Sequence, residues 1–502
     1  MLRLLIILFA ALSALPLAAA GPTAPVATLP VPVAKLPAPV ARALREAGLP
    51  SDALAMMVAP AGRAGRPFAH QPDRPMQPGS TMKLVTSVVA LDRLGPNHRG
   101  FTELFITAAP QQSVLPGDLV LRGGADPELG LPQLWQLLAE LRWSGVQEIG
   151  GDIVLDRSLF RPARPDQGVP PFDEAPEFPY NVVPDALTIN GSLMGLELRA
   201  DDVIVQARLL PPLDGIVLDN QLALNDRACS EWDEDWRTPL VQPLADGRVS
   251  LLLQGSFPRR CTQRTALQLL DRNQQAERQL RLIWHSLGGV WRGSVRNGVL
   301  PDGARLVARH ESRPWGELLR QQNKQSDNLL ARLLYLSLGV AAMPGEPEAT
   351  TQALAEREVR RWFDEQRIDT RGLVLDNGSG LSRSERITPR QMVRLLQAAH
   401  QGRQASELMM SLPVAGVDGT LRNRLKTSPA AGWARLKTGT LRNVAALAGY
   451  VPDAQGRLWV VVAMVNHDDA KRGRSALDAL VDWVARSGFN SARGVGPRAR
   501  LP

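Results

Sequence analysis

Three short motifs follow one another along this 502-residue chain: Ser80-Thr81-Met82-Lys83, Ser326-Asp327-Asn328 and Lys437-Thr438-Gly439-Thr440. The first sets a hydroxyl and an amine three residues apart, which one helical turn brings onto a single face. A serine hydroxyl is a poor nucleophile until a neighbouring base takes its proton. A lysine can be that base once burial or nearby cations lower its pKa. The third motif offers one cation (Lys437), two hydroxyls (Thr438 and Thr440) and backbone donors, a set that suits a carboxylate-ended peptide. Gly439 removes a side chain where a substrate backbone would approach. Together the three motifs describe acyl transfer through a serine.

The surrounding residues predict the elements that carry these groups. Pro78-Gly79 breaks the chain before Ser80, and Leu84, Val88 and Leu91 recur at helical spacing, with Val85 and Val89 beside them. That predicts a buried helix starting near Ser80, whose free N–H groups and dipole favour developing negative charge. Leu329, Leu333 and Leu336 predict a second buried helix, with Ser326 and Asn328 at its start. Read alone, Ser326 is an ordinary N-cap; beside the other motifs, the pair Ser326/Asn328 projects into a cleft. Lys437-Thr438-Gly439-Thr440 ends a strand-like run. Segments Val444 to Val451 and Leu458 to Asn466 follow as two further strands, joined by a turn composition at 452–456.

Of 58 basic residues only six are lysine, and two of those six are Lys83 and Lys437, with Lys324 just before Ser326. This chain uses arginine for surface cations, so lysine is kept where a cation that can also lose its proton is useful. The net charge of +8 and pI near 10 draw the protein toward anionic envelope polymers. Nucleic acid is the rival partner for such charge, but no basic-aromatic stripe accompanies it. Residues 1–20 read as a signal peptide with Ala18-Ala19-Ala20 at its end, so the expected location is outside the cytoplasm, in the periplasm, with at most peripheral membrane association. Residues 21–38 form a Pro/Ala-rich, disordered lead-in, and 491–502 a Gly/Arg/Pro tail. In an exported chain the only two cysteines, Cys229 and Cys261, predict one structural disulfide. The six histidines are scattered, so neither a metal site nor a cofactor is expected.

The three motifs in this order resemble the signature of penicillin-interacting serine acyltransferases. Their order, with segments at 412–421, 376–383, 123–127 and 180–185, is similar to the class C low-molecular-mass penicillin-binding proteins, D-alanyl-D-alanine carboxypeptidase/endopeptidases of the three-domain type. The resemblance runs from about Pro39 to Phe489. It implies an α/β (α+β) transpeptidase-like domain formed by residues 39–97 and 295–490 and split by a large insertion of two smaller, mainly β domains. The inserted domain would span 98–195 and 262–294, and a nested one 196–261, where the two cysteines fall.

By the same resemblance Ser80 is the acylated nucleophile and Lys83 its base. Ser326 relays a proton to the leaving amine, and Asn328 holds the substrate amide. Lys437, Thr438 and Thr440 receive the terminal carboxylate, and the Ser80 and Thr440 N–H groups form the oxyanion hole. Gly79 stands where the family usually has alanine. No lysine lies between Lys83 and Lys324, so a substrate-reading cation on the insertion would be an arginine, with Arg122 a candidate. The implied partners are peptidoglycan peptides, with β-lactams as inhibitors; the oligomeric state stays open. Alternatives on this scaffold are a β-lactamase, a D-amino-acid esterase or amidase, and an inactive wall-binding protein.

Overall fold

A computed structural model describes residues 35–62, 66–344, 346 and 348–487. The expected signal peptide, most of the lead-in and the terminal tail lie outside these residues. The central sheet is antiparallel and draws its five strands from both ends of the chain. Its order is Arg435–Leu441, Val444–Pro452, Leu458–Asn466, Leu54–Pro60, Phe68–His70. The three middle strands read as unbroken apolar runs because both of their faces are covered, and alternate residues enter different cores. Met57, Val462 and Met464 face one core with the helices Lys83–Arg93, Asn328–Ala341 and Pro389–Gln401. Met56, Val461 and Val465 face the other, with Ala38–Glu46 and Arg474–Arg486. Arg435–Leu441 is an edge strand; its start is tied to Pro413 and Val414, and past Leu436 no further strand among the described residues covers its outer row.

The strands between Phe101 and Glu311 build separate sheets. One has the order Val295–Asn297, Ile153–Asp156, Leu119–Gly124, Phe101–Ile106, Arg305–Glu311, and packs with the helices Leu131–Trp143 and Arg272–Ser286. Arg305–Glu311 pairs with Phe101–Ile106, and Met194–Ala200 pairs with Thr262–Leu267. A partner strand far away in sequence leaves no local trace. Cys229 and Cys261 are bonded, with Cα atoms 5.4 Å apart. Among the described residues no helix is long and apolar enough to cross a membrane.

Candidate active site

Ser80 lies on a short 3₁₀ turn, Gly79–Met82, that runs directly into the helix Lys83–Arg93. Gly79 has φ +51°, a left-handed conformation where glycine is at ease. A Cβ there would lie 3.3 Å from Thr440 N, a close approach. Gly439 has a related role. A Cβ on it would come within 2.5 Å of Pro78 O and 3.1 Å of Ser80 N. What approaches Gly439 in the structure is therefore the turn that carries Ser80, and Thr440 N lies against Gly79 in the same contact.

Lys83 has no exposed surface. Its Nζ donates to Ser80 Oγ at 3.1 Å, to Asn328 Oδ1 at 2.6 Å and to Ser379 O at 2.6 Å. Burial lowers its pKa to about 7, against the opposing pull of Asp327 and Glu385. An amine so placed is hydrogen-bonded to the Ser80 hydroxyl and can hold or release a proton near neutral pH.

Ser326 is not the cap of the second helix. It ends the helix Trp315–Gln325 in a left-handed conformation, φ 63° and ψ 37°. Asp327 caps Asn328–Ala341 instead, accepting from Leu330 N at 3.0 Å. The capping demand met by Asp327 leaves the Ser326 hydroxyl for the cleft, where Lys437 Nζ donates to it at 2.8 Å. Lys437 is as buried as Lys83, and its other contact is Thr438 O at 2.8 Å. Burial, reinforced by Lys83, pushes its amine well below the usual lysine range. It is thus no surface cation waiting for a carboxylate.

Asn328 opens its helix. It accepts from Lys83 and donates from Nδ2 to Tyr180 O at 3.0 Å. Arg332, one turn on, donates to Asn181 O and Val182 O at 3.1 and 2.6 Å, so the segment after Phe178 rests on this helix by its backbone. Arg122 is elsewhere: it pairs with Glu103 inside the insertion's own sheet and lies over the Phe105 ring. Thr438 Oγ1 meets Thr420 Oγ1 at 2.8 Å, while Arg474 donates to the exposed Thr440 hydroxyl at 3.3 Å. Lys324 pairs with Asp418, tying the helix Trp315–Gln325 to the segment that carries Thr420.

Motif reading missed Ser379, Thr420, Arg474 and Glu385 as neighbours of these groups. The first two lie in segments already singled out by resemblance. Arg474 and Glu385 sit in ordinary polar stretches and carry no local signal.

Residues 36–487 match the D-Ala-D-Ala carboxypeptidase 3 (S13) family. The chain is 33% identical over 399 residues to a D-alanyl-D-alanine carboxypeptidase of Actinomadura sp., covering 76% of this chain and 72% of that one. It is 29% identical over 403 residues to the D-alanyl-D-alanine carboxypeptidase DacB of Haemophilus influenzae, covering 78% and 80%. The crystal structure of penicillin binding protein 4 (dacB) from Haemophilus influenzae aligns with a TM-score of 0.73 at 25% identity, over 88% of this chain and 98% of that one. A second structure of that protein is complexed with a novel β-lactam, and aligns with a TM-score of 0.66 at 23% identity. The chain belongs to the D-Ala-D-Ala carboxypeptidase 3 (S13) family and is a serine-type D-Ala-D-Ala carboxypeptidase.

Proposed function

We propose that the protein cleaves D-alanyl ends, and the related cross-links, of peptidoglycan stem peptides through an acyl-enzyme on Ser80, and that β-lactams acylate the same serine. The observation that carries this reading is Lys83: fully buried, with a pKa near 7 and 3.1 Å from the Ser80 hydroxyl. In the forward step Ser80 Oγ attacks the carbonyl of the penultimate D-alanine while its proton passes to Lys83 Nζ. The Ser80 and Thr440 N–H groups receive the oxyanion. Ser326 Oγ then relays to the departing amine the proton that Lys83 took from Ser80, giving its own hydrogen and receiving one in turn. Lys83 and Ser326 both end as they began, while Lys437 Nζ holds the Ser326 hydroxyl in place. Thr438 and Thr440 receive the substrate's terminal carboxylate, and Asn328 its amide. Water then releases the acyl group.

The catalytic part would be the central sheet with its two helical layers. The two inserted parts, one carrying the Cys229–Cys261 bond, would shape the approach of wall fragments. The site of action we propose is the periplasm, where such substrates lie.

The test is intact-protein mass spectrometry after exposure to penicillin, together with D-alanine release from a stem-peptide analogue. One stable adduct and D-alanine release, both lost in Ser80→Ala, are expected. An adduct that survives Ser80→Ala overturns the assignment of the nucleophile. Rapid turnover of a chromogenic β-lactam would instead favour a β-lactamase.

A further inference from the structure

Behind Lys83 lies a carboxyl that this scheme does not use. Glu385 has no exposed surface. Its Oε1 accepts from Gly378 N at 2.9 Å, while Oε2 has no hydrogen-bond partner among the described residues. A buried carboxyl with an unfilled oxygen is costly, and more so when ionised. The turn it holds is the one that serves Lys83. Ser379 O accepts from Lys83 Nζ at 2.6 Å, and Gly378 O accepts from Thr86 Oγ1 at 2.6 Å. Gly380 has φ +81°, and a Cβ on it would lie 1.9 Å from Gly79 O. The turn is therefore wedged between Glu385 on one side and the nucleophile's own turn on the other.

We propose that Glu385 is a positioning residue for acylation, a buried carboxyl that holds the Gly378–Gly380 turn against Lys83 and governs, by its own protonation, how readily Lys83 accepts the Ser80 proton. The inference rests on the reading of Lys83 as base. The charged and titratable groups facing Glu385 are Lys83 from the nucleophile helix, Asp376 from the turn, and Arg332 and Tyr335 from the helix Asn328–Ala341. Burial and the Asp376 carboxylate push the carboxyl up, the Gly378 N–H, Lys83 and the Asp376 backbone N–H pull it down, and the balance raises it to about 7, close to Lys83. Ionised Glu385 favours the ammonium form of Lys83; protonated Glu385 releases it. Two such neighbours lose their protons in joint steps spread over a wide pH range.

The experiment is the pH dependence of acylation of the full chain by a fluorescent penicillin, for the parent, Glu385→Gln and Glu385→Leu. Glutamine keeps an acceptor for Gly378 N–H and removes the charge. Its acid limb should steepen and move to lower pH by about half a unit, about threefold in rate on the limb, with the alkaline plateau retained. Leucine releases the turn as well, so its plateau should fall. A second readout is the carboxyl carbon resonance of labelled glutamate. One signal absent from Glu385→Gln should titrate near neutral pH in the parent and move to higher pH in Lys83→Met. A parent limb present but unmoved in Glu385→Gln, or a Glu385 signal that titrates as an ordinary surface glutamate, overturns the proposal. A parent profile without any acid limb overturns the reading of Lys83 as base, and this proposal with it.

Discussion

Two lysines, Lys83 and Lys437, reach the same cleft from opposite sides, both without exposed surface, yet their surroundings differ in sign. Lys83 has Asp327 and Glu385 close enough to offset part of the cost of burial, and both of its protonation states are accessible near pH 7. Lys437 has no comparable carboxylate; the neighbouring charge that matters is Lys83, which pushes it further down. Burial alone therefore does not decide what an amine does. A buried lysine with acidic neighbours can exchange a proton with the nucleophile. One with a cationic neighbour has its charged form disfavoured by both burial and that neighbour, so an arriving anion would favour the charged form of Lys437.

The sharpest way to break this comparison is to take the base away and keep the charge. Lys83→Arg should reduce acylation by about 10²–10⁴-fold, because a guanidinium stays protonated. A Lys83→Arg protein that acylates within a few-fold of the parent would mean that Lys83 supplies potential only. On the other side, Lys437→Met should weaken substrates with a free terminal carboxylate more than their amidated analogues, by about tenfold in the ratio of kcat/KM. An equal loss on both would assign Lys437 to Ser326 alone. Lys437→Arg, which looks conservative from the sequence, should also be poor, since, like Lys83→Arg, it puts a larger head where the lysine has no exposed surface.

Stability should carry the same contrast against pH. Glu385 is raised from 4.5 to about 7, so the folded state binds more protons between those values and loses stability as pH rises through them. Lys83 is lowered from 10.5 to about 7, so the unfolded state binds more protons above 7 and stability is regained toward pH 10.5. Urea midpoints measured across pH should therefore dip near neutrality, and the dip should be shallower in Glu385→Gln. A flat difference between parent and variant would refute the buried charge.

The smallest effect expected on acylation comes from the distant bond. Cys229→Ser with Cys261→Ser should leave the acylation rate within about twofold while costing the nested part about 3–4 kcal/mol in the chain-entropy picture, read as earlier proteolysis between residues 194 and 267.

The strand hairpin from Val444 to Asn466 was legible as two short apolar runs joined by a turn composition, and the helix after Ser80 because its apolar residues recur at helical spacing; both signals are local. The pairing of Ser80 with Lys83 belongs to the same class, since three residues on a helix bring two side chains together whatever the rest of the chain does. Asp327 illustrates the limit. In Ser326-Asp327-Asn328 three residues can cap a helix, and only the left-handed turn at Ser326 decides that Asp327 does so.

Residue types and spacing by themselves supplied the groups: a hydroxyl and an amine three residues apart, and a cation with hydroxyls on a strand. Tertiary structure alone decided which groups those amines meet. The Lys83–Asn328 and Lys437–Ser326 bonds join segments 245 and 111 residues apart, and no period links residues that distant. It alone paired Arg122 with Glu103, set Gly439 against the turn that carries Ser80, paired Arg305–Glu311 with Phe101–Ile106, and buried Glu385. The reason is common to all of these. Burial and the sign of neighbouring charge arise from packing between distant segments, and a chain written in one dimension records the groups but not their surroundings.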